Sequence, residues 1–289
     1  MRIEEVSKSF GRFKALDAIN ISEIKGIHGF LGENGAGKTT LMRIIATVME
    51  KDSGNIVHND LFWDNKSEVR KIIGYLPQKF GFYHKLTVRE VVEHMAILKE
   101  VTGDIEKEAE RVIELTNLYS KIDTKVGALS GGMVRRLGIA QAILGNPEIL
   151  IVDEPTAGLD PEERIRFRVL LHEIGANRIV LLSTHIVEDA ESVCDRITVL
   201  HNGRAIMTGT GKEISDLADG KVWTLRVSDE YIIESLNEKN ITSRKRCNDG
   251  YEIRLISDNK PAEDAMLTTP SLEEGYMYCI HMNDKTESF

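Results

Sequence analysis

No apolar run in this chain approaches the eighteen or so residues that a membrane-spanning helix needs, so a protein of this kind would work at a bilayer only as a visitor. The opening residues, MRIEEVSKSF, hold no apolar h-region, and no signal peptide is expected. Cysteine is scarce. Cys194, Cys247 and Cys279 are odd in number and widely spaced, which argues against a disulfide framework or a zinc site and fits a reducing compartment. The eight histidines do not cluster. No long run of lysine or arginine offsets a net charge of −9, so nucleic acid is not an expected partner. An anion would have to be held by local geometry rather than by a global positive field. Internal repeats and low-complexity segments are also missing.

What is present is enough apolar material for a real core, at 42% of 289 residues. That length suits one large domain with a smaller companion. RIEEV, ALDAINIS and IHGFL read as short strands, with a turn at SFGRF, and KTTLMRIIATVM places Leu41, Ile44, Ile45 and Val48 at helical spacing. Strand-like pieces follow to Pro77. Residues from about 80 to 128 form a mainly helical block, with TVREVVEHMAILKEV and DIEKEAERVIELTNLY as amphipathic helices. GGMVRRLGIAQAIL and PEERIRFRVLLHEIG are further helices, the second with Pro161 at its start. EILIVDEP and RIVLLSTH are continuous apolar strands, and DRITVLHNGRAIMTG is a hairpin around Asn202-Gly203. Continuous apolar strands alternating with helices imply a mostly parallel sheet covered on both faces. Past about Leu217 the character changes. KVWTLRVS, ITSRKRC and YEIRLIS read as strands around a helix DEYIIESLNEKN, so residues 219–289 are expected to form a small α/β appendage to a domain of residues 1–218.

Glycine weakens both helices and strands, yet GFLGENGAGKTTLMRII carries four glycines between an apolar strand and an apolar helix. Gly32, Gly37, Lys38 and Thr39 fit G-x-x-x-x-G-K-[ST], the phosphate-binding loop. The spacing follows from the chemistry. Bare amides wrap the β- and γ-phosphates, and the next helix points its positive end at them. Lys38 adds a point charge, and the Thr39 hydroxyl can ligate Mg²⁺. Asp153 and Glu154 end a buried strand. There Asp153 would hold Mg²⁺ through water. Successive residues of an extended chain point in opposite directions, which frees Glu154 to polarise an attacking water as general base. In LSGGM, Leu129 to Met133, a serine that can cap a helix and two bare amides make a second anion site some ninety residues from the first.

With these residues in order, the chain resembles the nucleotide-binding subunit of the ATP-binding cassette (ABC) transporter family, in its exporter-type branch. GENGAGKT matches the Walker A loop, Gln78 in YLPQKFGFY the Q-loop, LSGGM the signature, ILIVDE Walker B, AGLD the D-loop, and His185 in LSTH the H-loop. The six motifs span about residues 1–217. The resemblance implies an α/β P-loop NTPase fold with a mainly parallel sheet core, an N-terminal antiparallel β subdomain, a helical subdomain at about 80–145 and the small C-terminal α/β appendage. It implies ATP hydrolysis with Mg²⁺ held by Thr39, Gln78 and Asp153, and catalysis by Glu154, His185 and Gln78. ATP would be bound by Gly32, Asn34, Gly35, Gly37, Lys38, Thr39 and Thr40, with Phe10 stacking on adenine and Phe13 as the fallback. It implies a head-to-tail dimer, either a homodimer or a heterodimer with another such subunit. In that dimer Ser130, Gly131 and Gly132 of one chain would reach the γ-phosphate held by the other, and Asp160 would communicate across the interface. The partners would be ATP and a separate integral membrane permease, with the subunit cytoplasmic and peripheral on the inner face of the membrane. One departure stands out: Met133 occupies a position where the family often has glutamine, and methionine cannot make that side chain's polar contacts. GGM followed by arginines, and the closing TPSLEEGYMYCI, are similar to the export-type branch. A nucleotide switch acting on a soluble partner is the alternative reading.

Overall fold

Both faces of the strand Ile149–Asp153 (β7) are buried, and its side chains divide strictly by parity. Ile149 and Ile151 enter one apolar core, and Leu150 and Val152 enter another. Its neighbour Ile179–Thr184 (β8) does the same, with Leu181 on the first side and Val180 and Leu182 on the second. A continuous apolar run is what a strand covered by helices on both faces requires. The computed structural model describes residues 1–228, 240–248 and 250–287. The chain falls into two units, Met1–Ala205 and Ile206–Phe289.

In the first unit, Ile27–Leu31 (β3), Ile73–Leu76 (β6), β7, β8 and Arg196–His201 (β9) form a parallel array in the order β9-β3-β8-β7-β6, and Arg204–Gly209 (β10) lies beside β9. The Asn202-Gly203 turn between β9 and β10 has both residues at positive φ, 48° and 77°, as a two-residue hairpin demands. A separate antiparallel sheet has the order β2-β1-β4-β5, made from Arg2–Phe10 (β1), Phe13–Ile21 (β2), Ser53–His58 (β4) and Leu61–Phe62 (β5). Its inward residues Ile3, Val6, Leu16 and Ile19 join Phe30 of β3 and Leu41 and Ile45 of the helix Lys38–Ile45 (α1) in one core. Val69 of Lys66–Ile72 (α2) also belongs to this first core, while the second core is built by Val88–Leu98 (α3), Ile105–Leu115 (α4), Gly131–Ala142 (α5) and Pro161–Gly175 (α6).

The caps explain where these helices start. Thr87 and Glu90 form a capping box on α3, Asp104 caps α4, Ser130 caps α5 and Asp160 caps α6 ahead of Pro161. Helix α1 stops at Ile45, short of the expected residue 49, because Thr47 turns to a φ of 58°. Val48 is therefore exposed rather than on the buried helical stripe. Two short helices of the first unit lie outside the sequence expectation, α2 and Val187–Val193 (α7). Each has only seven residues, too few for a helical period to declare itself. Asn65 three residues before Glu68 was the available signal for α2.

His28 is buried in β3, where its Nε2 lies 2.8 Å from Thr198 Oγ1 and its Nδ1 has no partner among the described residues. Burial, with Arg196 adding to it, holds the imidazole pKa down to about 4.

The second unit is an antiparallel sheet of order β12-β13-β11-β14, from Val222–Val227 (β11), Ile241–Cys247 (β12), Gly250–Ile256 (β13) and Met266–Leu267 (β14). The expected helix DEYIIESLNEKN lies almost wholly outside the described residues. Leu225, Val227, Ile253 and Leu255 form the core. The closing helix Leu272–Glu287 (α9) is fastened by Arg254, whose Nε and Nη2 donate to the two carboxylate oxygens of Glu274, each at 2.8 Å. Glu274 is buried, but Ser271 N and Thr242 Oγ1 also donate to it, so the charge is well satisfied. The division at Ala205–Ile206 precedes the expected one at 218/219 because Gly211–Ser215 (α8) packs on α9.

Candidate nucleotide site

Four adjacent parallel strands, in the order β3-β8-β7-β6, deliver the chemistry at their C-terminal ends. The glycine loop follows β3, Gln78 follows β6, Glu154 follows β7 and His185 follows β8. Such an edge is where ligands bind in parallel α/β sheets.

The loop needs its glycines for two separate reasons. A Cβ on Gly32 would sit 2.3 Å from the Leu200 carbonyl oxygen, and Gly37 has a φ of 102° with the Ala15 carbonyl close by. Helix α1 begins at Gly37 without a side-chain cap or an acidic residue in its first turn. Its first amides are thus left to an external anion. Lys38 folds back over the loop, donating to the carbonyls of Gly32 at 2.7 Å and Glu33 at 2.9 Å. Burial pulls the pKa of this ammonium down, and Glu154 opposes that shift.

Glu154 is the meeting point. Gln78 Nε2 donates to its Oε2 at 3.0 Å, while Lys38 Nζ lies 3.7 Å and His185 Nδ1 3.3 Å from its Oε1. The alternation of an extended strand does not set its direction, as the sequence suggested, because Glu154 is already in the left-handed region with a φ of 47°. That conformation is uncommon for a side chain of this size. It is held by the Glu154 amide, which donates to the carbonyl and the hydroxyl of Ser183 at 3.2 and 2.9 Å.

Asp153 lies behind it, fully buried. Its Oδ1 accepts from Ser183 Oγ at 2.5 Å and from Thr39 Oγ1 at 3.4 Å, and its Oδ2 has no partner among the described residues. Burial raises its pKa, and the Ser183 hydrogen bond opposes the rise. Thr39 Oγ1, the Asp153 carboxylate and the amide oxygen of Gln78 are hard oxygen donors of the kind Mg²⁺ takes. Among the described residues no group of three or more His, Cys, Asp or Glu could hold a metal. With the buried Asp153 Oδ2 unpartnered among the described residues, this donor set fits an ion shared with phosphates.

A cavity of about 230 Å³ opens over this site. Asn34, Gly35, Gly37, Lys38, Thr39 and Thr40 form one part of its wall, Gln78 and Glu154 another, and Phe10 and Phe13 a third. The two phenylalanines face each other across the β1–β2 turn. They are 48% and 62% exposed, so neither is a core residue. Lys8 lies 5.8 Å from the Phe10 ring centroid.

Ser130, Gly131, Gly132 and Asp160 do not line that cavity. Ser130 and Gly131 are exposed at the start of α5, and Ser130 Oγ accepts from the Met133 amide at 3.3 Å. Asp160 accepts from the Glu163 amide at 2.9 Å. Met133 packs on the helical core. Sequence reasoning missed Ser183, which orients both Asp153 and Glu154, and Arg135, which reaches the Gln78 and Ala157 carbonyls.

The comparison with known proteins agrees with this geometry. The ABC transporter family profile matches residues 20–157. The bacitracin transport ATP-binding protein BcrA of Bacillus licheniformis is 37% identical over 211 residues, 71% of this chain and 68% of that protein. This chain belongs to the ABC transporter family. The linearmycin resistance ATP-binding protein LnrL of Bacillus subtilis is 31% identical over 98% of this chain and 92% of its own length, so that likeness includes the second unit. A solved dimeric bacterial ABC transporter cassette superposes with a TM-score of 0.65 at 26% identity, covering 72% of this chain and 97% of that one. The subunit is thus an ATP-binding and ATP-hydrolysing cassette that energises a membrane permease. Among its described residues no helix is long and apolar enough to cross a membrane itself.

Proposed function

We propose that this ABC subunit drives an export-type permease by closing head-to-tail on a second cassette around shared ATP. The observation that carries this reading is the convergence of Lys38, Gln78 and His185 on Glu154, which lines the cavity. Phe10 stacks on adenine, the amides of residues 32–40 hold the phosphates, and Lys38 neutralises them. Thr39, Gln78 and Asp153 would hold Mg²⁺, which when bound would neutralise negative charge on the phosphates. Glu154 accepts a proton from the attacking water as its oxygen bonds to the γ-phosphorus. The β–γ bridging bond breaks with its electron pair going to ADP. His185 and Gln78 hold the carboxylate in place for this transfer.

The exposed signature residues Ser130 and Gly131 stand apart from this cavity, which supports their serving the ATP of a partner cassette. Asp160 lies in the segment that would face that partner. A groove of about 290 Å³ runs between the Q-loop and α3, lined by Gly81, Phe82, Tyr83, Leu86, Val91, His94 and Met95. Tyr83 is 77% exposed there. This groove, directly after Gln78, suits the cytoplasmic loops of the permease, and docking there supports a subunit on the inner face of the membrane. The relatives described for bacitracin transport and linearmycin resistance favour export.

The test is purification of tagged Glu154→Gln protein from membrane extracts with Mg–ATP. A dimer that brings an integral membrane protein with it is expected. Recovery of ribosomes or soluble enzymes in place of a membrane subunit would overturn transport in favour of a nucleotide switch.

A further inference from the structure

Arg135 lies one turn into the helix that begins at the signature, and its guanidinium is forked between two other motifs. Nη1 donates to the Gln78 carbonyl and Nη2 to the Ala157 carbonyl, each at 3.3 Å. Gln78 is the Q-loop residue whose side chain holds Glu154. Ala157 opens the D-loop, and its own amide donates to the Glu154 carbonyl at 3.4 Å. One side chain therefore joins the signature helix to the segments on both sides of the catalytic carboxylate.

The guanidinium also lies 5.6 Å from the centroid of the Phe80 ring. Phe80 meets Phe82 edge-on, with centroids 5.7 Å apart, and Phe82 lines the groove beside α3. Gly138 makes this packing possible, because a Cβ there would sit 2.6 Å from Leu76 and 2.9 Å from the Phe80 ring. The contact chain from the groove to Glu154 is continuous: Phe82, Phe80, Arg135, then the Gln78 and Ala157 backbones. No carboxylate forms a salt bridge with Arg135 among the described residues. Its burial lowers its pKa, with the charge of Glu154 opposing.

We propose that Arg135 is a positioning residue that makes the Q-loop, the start of the D-loop and the signature helix move as one body, so that occupancy of the groove is felt at Glu154. The inference rests on the nucleotide site and permease groove assigned above. Arginine is the residue for this task because its planar fork presents two parallel donors to two acceptors, whereas lysine offers a single point charge. Loss of the fork leaves the phosphate loop untouched and loosens the link between groove and carboxylate.

The experiment compares the full-length wild type with Arg135→Met and Arg135→Lys by hydrogen–deuterium exchange, with and without a non-hydrolysable ATP analogue and Mg²⁺. In the wild type the analogue is expected to slow exchange at residues 32–40 and to change it at 79–86. In both variants the protection at 32–40 should persist, the response at 79–86 should be lost, and kcat should fall about tenfold with the KM for ATP within about twofold, as for loss of a charged hydrogen bond. Arg135→Lys keeps the charge and guards against a folding defect, which equal melting temperatures would verify. A wild-type response at 79–86 in a folded Arg135→Met variant overturns the proposal. Absence of protection at 32–40 in the wild type overturns the nucleotide site itself, and the proposal with it.

Discussion

Gln78 and Glu154 are joined side chain to side chain, Nε2 to Oε2 at 3.0 Å, across 76 positions of sequence. Replacing Glu154 by glutamine keeps the shape of this site and removes its proton acceptor. Turnover should fall by about 10²- to 10⁴-fold, the usual worth of a positioned general base. Phosphate release measures turnover, and retained ATP with a shift to dimer on size exclusion measures trapping. Wild-type turnover in this variant would remove Glu154 from the role.

Lys38→Ala acts at binding rather than at chemistry. The ammonium lies against the Gly32 and Glu33 carbonyls and beside Glu154. A charge-assisted contact to phosphate is worth about 1.5–3 kcal/mol, so ATP affinity should drop by roughly ten- to a hundredfold in a nucleotide titration. Unchanged affinity would count against the loop assignment.

Phe10→Ala and Phe13→Ala separate the two candidate adenine platforms. Stacking of a base on an aromatic ring contributes about 1–3 kcal/mol. Phe10→Ala should lose affinity of that size for ATP while leaving binding of inorganic triphosphate unchanged. The reverse ranking, with Phe13→Ala the costly change, would move the platform across the turn.

His28 gives the first unit a pH dependence between about 4 and 6.5. The unfolded imidazole titrates near 6.5 and the folded one at about 4. Above pH 6.5 the ring is neutral in both states and makes no difference. As pH falls from 6.5 to 4 only the unfolded chain takes up the proton, so stability is lost through that window and levels off below it. The full difference is about 3 kcal/mol. Urea unfolding of His28→Gln should show a flatter pH profile than wild type across this window, and parallel profiles would refute the assignment.

Several features were legible in the residues because they are local. The spacing Gly32, Gly37, Lys38 dictates a loop of bare amides at a helix start, whatever surrounds it. The continuous apolar run Ile149–Val152 declares a strand buried on both faces. Capping residues Thr87, Asp104 and Ser130 mark their helices. The seven-residue helices α2 and α7 stayed hidden because so few residues carry no period.

The sequence by itself determined which groups are available: a phosphate loop, an acidic pair, a glutamine, a histidine and a signature. Only the tertiary structure decided that Lys38, Gln78 and His185 converge on Glu154, that Ser183 holds its left-handed backbone, and that Arg135 bridges two loops. The physical reason is range. Turn and cap geometry is set by neighbours a few residues apart, whereas these convergences depend on the strand order β3-β8-β7-β6, which burial on two faces fixes between segments far apart in the chain.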